Sequence, residues 1–272
     1  MAAGRLVGTS VRRLEDNRLL LGQGQFVADI SVSRPLFMSI VRSKRAHAII
    51  EKIDTTTAQL SPGVRRVVVG SELASSVAPL PSIDMAGEGV AACFRVLSID
   101  KVRYVGEPVA AVFAEDPFQA HEAAELVDIQ YRDLPVVLDP EQAASSKSPA
   151  LLYESLGSNI IHTCNQNVGD PDSAFAMAHR TFEDTYRIHR YVASPMETRG
   201  VLADPTGRNG RVTLYSSTQF PHLVRGFLAG VLGISETDLH VVAPGRARYQ
   251  RRSVYPPTVL GLIKSGKRPV AS

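Results

Sequence analysis

Seven histidines, two cysteines and the pair Ser216-Ser217 are the first side chains to weigh as a base, a metal ligand or a nucleophile. Their spacing assembles none of these. The histidines are scattered, without an H-x-H pair or an H-E-x-x-H run, so His189 and His222 read as surface or hydrogen-bonded polar residues, and no metal site is expected. Ser216 and Ser217 lack the G-x-S-x-G frame of a nucleophile elbow, and no triad is indicated. "GQGQF" at 22–26 has two glycines but no helix after it, which makes it a turn and not a dinucleotide fingerprint. Cys93 and Cys164 form neither a C-x-x-C pattern nor a disulfide framework, as suits a reduced, cytoplasmic setting.

A different chemistry is raised by Arg246, Arg248, Arg251 and Arg252, four arginines in "GRARYQRR". Nucleic-acid binding wants aromatic residues interleaved with such charges, and only Tyr249 is present. The net charge of +3 over 272 residues is too small to argue for a polyanionic partner. A membrane partner is not expected either. The apolar runs "PVAAVFA" and "FLAGVLGI" are core-sized, and "MAAGRLVGTSVRRLEDNRLL" lacks the apolar centre of a signal peptide. With 44% hydrophobic and 21% charged residues, the composition is that of a soluble protein of one or two domains.

The elements that must position any site follow an α/β (or α+β) pattern. Strands are expected at 35–43, 47–54 and 64–69, with short helices at 55–60 and 71–75. "KVRYVGEPVAAVFAED" reads as a strand pair around the Gly106-Glu107-Pro108 turn. Asp116 then stands at an N-cap with Pro117 at the first helical position, and Phe118, Ala120, Ala123, Ala124 and Val127 make the apolar face of the helix. "VDIQY" is a further strand. The small, polar, proline-bearing stretch from 140 to 158 has the composition of a surface linker. Beyond it, Asp172 is expected to cap a helix at 173–180, and "RTFEDTYRIHRYVA" alternates as a long strand should. Residues 201–216 predict two strands with Asn209-Gly210 as the hairpin signal. A helix over 220–234 carries Leu223, Phe227, Leu228, Val231 and Leu232 on one side, and "SETDLHVVAP" leads from a capped turn into a last strand.

Several of these stretches, in one order, resemble the molybdenum-binding large subunit of the xanthine dehydrogenase/aldehyde oxidase family, in a form like the carbon monoxide dehydrogenase large chain. The resemblance runs through "RLEDNRLLLGQGQFVADI" (13–30), "VRSKRAHAII" (41–50), "VRYVGEPVAAVFAED" (102–116), "YRDLPVVLD" (131–139), "GDPDSAFAMAHRTFEDTYRIHRYVASPMETRGVLA" (169–203) and "LYSSTQFPHLVRGFLAGVLGI" (214–234). It implies an N-terminal extension (1–19), an α/β hammerhead domain (20–140), a linker (141–159) and the first, truncated part of a molybdopterin-binding domain (160–272). The implied activity is oxidoreductase: hydroxylation of aldehydes, purines or related small molecules, or oxidation of carbon monoxide, with oxygen from water. The implied cofactor is molybdenum–molybdopterin, in a cytosine dinucleotide form. FAD and 2Fe-2S clusters would sit on a medium and a small partner subunit.

One site residue is carried over. Gln219, in "SSTQF", falls where the family places a glutamine beside the molybdenum oxo group. A neutral amide can donate a hydrogen bond to an oxo ligand without adding charge to the metal site. Taken without the resemblance, Gln219 is a strand-end residue capping the helix that follows. Glu197 and Arg199, in "SPMETRG", match a family motif that orders backbone.

The sequence departs from the family after "LHVVAP". A glycine-rich loop of the form D-V-G-G-G-F-G is expected, in which bare backbone N–H groups approach the cofactor. Gly245–Arg252, "GRARYQRR", stands there instead, with Gly245 its only glycine, before "SVYPPTVLGLIKSGKRPV" resembles the family again. A reading-frame slip, later restored, accounts for such an island between matching flanks, and sequencing the coding DNA tests it. On the resemblance, the family's downstream portion, with its base glutamate, is expected to be absent from this chain. The chain alone is therefore expected to be inactive, with a separate polypeptide carrying the remainder as a further implied partner. The second reading is a non-catalytic docking module for the iron–sulfur and FAD subunits. On either reading 20–140 is expected to fold alone, and 160–272 to expose apolar surface.

Overall fold

The computed structural model describes residues 7–80, 94–163, 165–189, 191, 194–195, 197–206, 211–244 and 270–271. The first half follows its apolar spacing. After a short helix α1 (Asp16–Leu20) come strands β1 (Leu36–Arg42) and β2 (Ala48–Asp54), helix α2 (Thr56–Leu60), strand β3 (Val64–Val69) and helix α3 (Gly70–Leu73). Gly70 is obligatory by space, because a Cβ there would collide with the backbone carbonyl oxygen of Ser98 and lie 2.8 Å from that of Leu97.

The Gly-Glu-Pro turn separates two strands, β4 (Lys101–Val102) and β5 (Pro108–Ala114), but they do not pair as expected. Gly106, at φ +92°, turns the chain, and the two strands part into different sheets. The reason lies in β5. It is buried at every position, and a run apolar on both faces needs a covering layer on each side. It therefore takes an interior place in the large sheet.

Helix α4 (Pro117–Glu125) starts as expected, with Asp116 Oδ1 accepting the N–H groups of Phe118 at 2.8 Å and Gln119 at 3.4 Å. Phe118 is not on its buried face. Two positions before Ala120, it points to the opposite side and is 75% exposed. Strand β6 (Asp128–Asp133) and helix α5 (Pro140–Ala144) follow. The linker is a pinned strap. Asn159 donates to Ser148 Oγ at 2.9 Å and Ala150 O at 2.8 Å, and accepts the Leu152 N–H at 2.9 Å. Lys101 Nζ meets Glu154 at 2.6 Å, and the Arg103 guanidinium lies 4.5 Å over the Tyr153 ring.

Helix α6 (Pro171–Met177) starts earlier than expected and is capped by Asp170, not Asp172, with Oδ1 accepting the Ser173 N–H at 3.1 Å. Pro171 takes the first helical position, which leaves the cap to the residue before it. The long strand expected from Arg180 onward is not formed at 180–189, where every residue is exposed. Alternation gives these residues the side-chain pattern of a strand, but a strand also needs a neighbouring edge to bond to, and no described strand supplies one.

The remaining elements are β7 (Val201–Asp204), β8 (Val212–Ser216), α7 (Pro221–Leu232), β9 (Leu239–Val242) and β10 (Val270–Ala271). β7 and β8 pair antiparallel from Val201↔Ser216 to Asp204↔Thr213, while the predicted Asn209-Gly210 turn lies outside the described residues. α7 buries Val224, Leu228, Val231 and Leu232; Leu223, expected on that face, is 51% exposed.

The strands form a seven-stranded sheet, β3-β5-β1-β10-β7-β8-β9, and a three-stranded one, β4-β2-β6. Because side chains alternate along a strand, neighbouring residues serve opposite layers. Val68, Ala111 and Phe113 share one core with Val201, Leu214, Val224 and Leu228 from the second half. Val67 and Val112, one residue away, pack with Ala58 and Ala123 on the other face. Among the described residues no helix is long and apolar enough to cross a membrane.

Candidate functional site

β8, α7 and β9 make a strand–helix–strand unit whose strands run parallel, paired from Val212↔Leu239 to Tyr215↔Val242. A parallel pair requires a crossover, and α7 provides it. The carboxyl ends of β8 and β9 are thereby brought side by side. In open α/β sheets, ligands are held in the crevice outside such ends. Gln219 lies in the loop leaving β8, and Pro244 in the segment leaving β9, so both stand at that edge.

The loop from β8 to α7 comprises only residues 217–220. Ser216, Ser217 and Thr218 are buried, whereas Gln219 and Phe220 are exposed. Thr218 Oγ1 accepts the Phe220 N–H at 3.1 Å. The N-cap of α7 is Phe220, whose side chain makes no capping hydrogen bond. Pro221 at the first position has no N–H to satisfy. The positive end of the α7 dipole and its first-turn N–H groups lie at the same edge of the sheet as residue 219. Such a donor set suits an oxo or phosphate oxygen and adds no full charge.

Behind this loop lies the segment 197–200. Glu197, 9% exposed, accepts the Val27 N–H at 3.0 Å, so the motif "SPMETRG" orders backbone as expected, but through a partner far away in sequence. Arg199 is exposed. Gly200 N–H donates to Ser217 Oγ at 2.9 Å, and a Cβ on Gly200 would stand 3.2 Å from Val27 Cβ. These ties to Val27 and Ser217 have no signature in spacing. The only sequence hint is three consecutive hydroxyl residues at the end of a strand.

His189 and His222 are exposed, and no group of three or more His, Cys, Asp or Glu side chains among the described residues could hold a metal ion. Cys93, Cys164 and Gly245–Arg252 lie outside the described residues. A separate groove of about 670 Å³, between β1, α4 and β6 and lined by Arg42, Arg45, His121 and Tyr131 among others, does not include Gln219.

Comparison with known proteins agrees with this architecture. The family model of the aldehyde oxidase and xanthine dehydrogenase a/b hammerhead domain matches residues 21–135, and that of the molybdopterin cofactor-binding domain matches residues 152–245. The large subunit of nicotine 6-hydroxylase from Paenarthrobacter nicotinovorans is 37% identical over 257 residues, covering 94% of this chain and 31% of that protein. The carbon monoxide dehydrogenase large chain of Afipia carboxidovorans is 33% identical over 252 residues, covering 88% of this chain and 30% of that one. The crystal structure of quinoline 2-oxidoreductase from Pseudomonas putida 86 superposes with a TM-score of 0.83 at 29% identity, covering 97% of this chain and 34% of that one. The chain belongs to the xanthine dehydrogenase/aldehyde oxidase family of molybdopterin-binding large subunits, as a hammerhead domain followed by the start of a cofactor-binding domain. It spans about a third of the length of these relatives.

Proposed function

We propose that this chain forms part of the molybdenum-binding large subunit of a molybdenum hydroxylase, an oxidoreductase acting on aldehydes, purines, related small molecules or carbon monoxide. One observation carries the reading: the β8–α7–β9 crossover sets Gln219 and the segment leaving β9 at one sheet edge, beside the start of α7. Molybdenum–molybdopterin, in its cytosine dinucleotide form, supplies the redox centre when bound. Gln219 is the residue that holds it on this side, donating a hydrogen bond to an oxygen ligand while leaving the charge of the site unchanged. The first-turn N–H groups of α7 add partial positive charge along the same edge. In sequence, Gly245–Arg252 lacks the glycines of the family loop, so the reading assigns cofactor contact to Gln219 and not to that stretch.

The division into 20–140, 141–159 and 160–272 belongs to the same proposal. So do partner subunits carrying 2Fe-2S clusters and FAD, through which electrons leave. Relatives named as a "large subunit" and as a "complex subunit gamma" support partners of some kind. The test is co-expression with iron–sulfur and FAD subunits, and with a polypeptide carrying the remainder of the large subunit, in a host that makes the cofactor, followed by metal analysis of the purified complex. About one molybdenum per chain is expected. Its complete absence overturns the reading and leaves the docking module.

A further inference from the structure

β8 runs out into three polar residues that are all inside the protein: Ser216 is 1% exposed, Ser217 3% and Thr218 5%. A strand normally sends alternate side chains to solvent, and buried polar groups must find partners. Ser217 finds them outside its own strand. Its Oγ accepts the Gly200 N–H at 2.9 Å and lies 3.1 Å from Thr198 O and 3.3 Å from Gly200 O. Its backbone N–H donates to Gly200 O at 3.1 Å. A hydroxyl has one proton and two lone pairs, so this single side chain satisfies one donor and shares its proton between two carbonyls. The segment it holds follows Glu197, which accepts the N–H of Val27; both of those residues are buried.

Two positions after Ser217 the chain emerges at Gln219, and on the far side Thr218 Oγ1 holds the Phe220 N–H. We propose that Ser217 is a positioning residue for Gln219: by clamping the segment 198–200 to the end of β8, its hydroxyl fixes where the Gln219 amide stands at the sheet edge. The proposal rests on the cofactor-facing reading of Gln219, and goes beyond it by naming the residue that sets its geometry.

The test is a double-mutant cycle on the co-expressed complex, read as molybdenum retained per chain after gel filtration. It is paired with hydrogen exchange measured across residues 198–200 and 217–220. Gln219→Leu and Ser217→Ala each lower molybdenum retention by about tenfold, the scale on which outer groups tune a metal site. The double variant retains no less than Gln219→Leu alone, because Ser217 acts through Gln219. Ser217→Ala also speeds exchange at 198–200 and 217–220 while leaving residues 108–114 unchanged. Equal losses from Ser217→Ala in both backgrounds would mean a general structural role and overturn the proposal. So would unchanged exchange at 217–220 in Ser217→Ala when Gln219→Leu does lower molybdenum. Full molybdenum in Gln219→Leu sinks the cofactor-facing reading itself, and the two failures are thus told apart.

Discussion

Glu197 Oε1 accepts the backbone N–H of Val27 at 3.0 Å, across 170 residues of sequence. The contact ties the start of the hammerhead domain to the segment that precedes β7, and both residues are buried. Glu197→Ala leaves a buried N–H without its acceptor, a loss of about 1–3 kcal/mol. Glu197→Gln keeps an oxygen acceptor and should lose less. Urea unfolding of the three proteins checks this, and equal losses in the two variants would place the stabilisation in the carboxylate charge instead.

Gly70 has no room for a side chain, because the Leu97 and Ser98 carbonyls close over it. Gly70→Ala forces backbone apart in the shared core and should cost about 1–3 kcal/mol. Thermal unfolding would show it. An unchanged midpoint would mean that the 97–98 segment yields freely.

The latch on the strap gives a pH signature. Lys101 Nζ, on a side chain 6% exposed, bonds to Glu154 at 2.6 Å and holds that carboxyl below the usual glutamate value of 4.5, helped by the backbone N–H of Glu154 itself and opposed by slight burial. A depressed carboxyl pKa stabilises the fold above the unfolded value, and the contribution fades as pH falls through the folded value. Glu154 is 70% exposed, so the pair is worth at most about 1 kcal/mol. The stability gap between wild type and Glu154→Gln should be present at neutral pH and close below pH 4.5. A gap that persists in acid would show that packing, not ionisation, fastens the strap.

The first half was expected to fold alone, but its Val68, Ala111 and Phe113 share a core with Val201, Leu214 and Val224. Leu214→Ala, at a fully buried position, should cost about 2–5 kcal/mol. That cost should appear in the hydrogen exchange of residues 108–114 as well as 212–216. Protection lost only at 212–216 would show two independent units.

Phe182, Tyr186 and Ile188 are each more than 80% exposed. Replacing all three with serine should change stability by no more than about 0.5 kcal/mol per site while lowering self-association, since exposed apolar stretches are sticky. Light scattering and unfolding together test this; a large loss of stability would reveal packing in solution.

Much of the scaffold is legible because its signals are local. The apolar run at 108–114 announces a doubly buried strand, and Asp116-Pro117 announces a helix start. The same Asp-Pro grammar recurs at Asp139-Pro140 and Asp170-Pro171, although composition alone reads the first as linker and places the second cap at Asp172. What sequence does not carry is choice of partner. Nothing in 101–114 says that β4 and β5 go to different sheets, and nothing in 180–189 says that an alternating run lacks an edge to join. The place of Gln219 came from resemblance. The parallel register of β8 and β9 supplies the geometry that spacing alone could not.

One joint in the large sheet has a mechanical meaning. Among the described strands, β1 and β7 meet only through β10, whose two residues pair with Leu36 and Phe37 on one side and with Leu202 and Ala203 on the other. The side-chain core runs across this joint unbroken. The halves are glued more than stitched: two residues of β10 carry the backbone pairing, while buried side chains such as Phe113 and Leu214 belong to one continuous core. A substitution in that core therefore acts on both halves of the sheet at once.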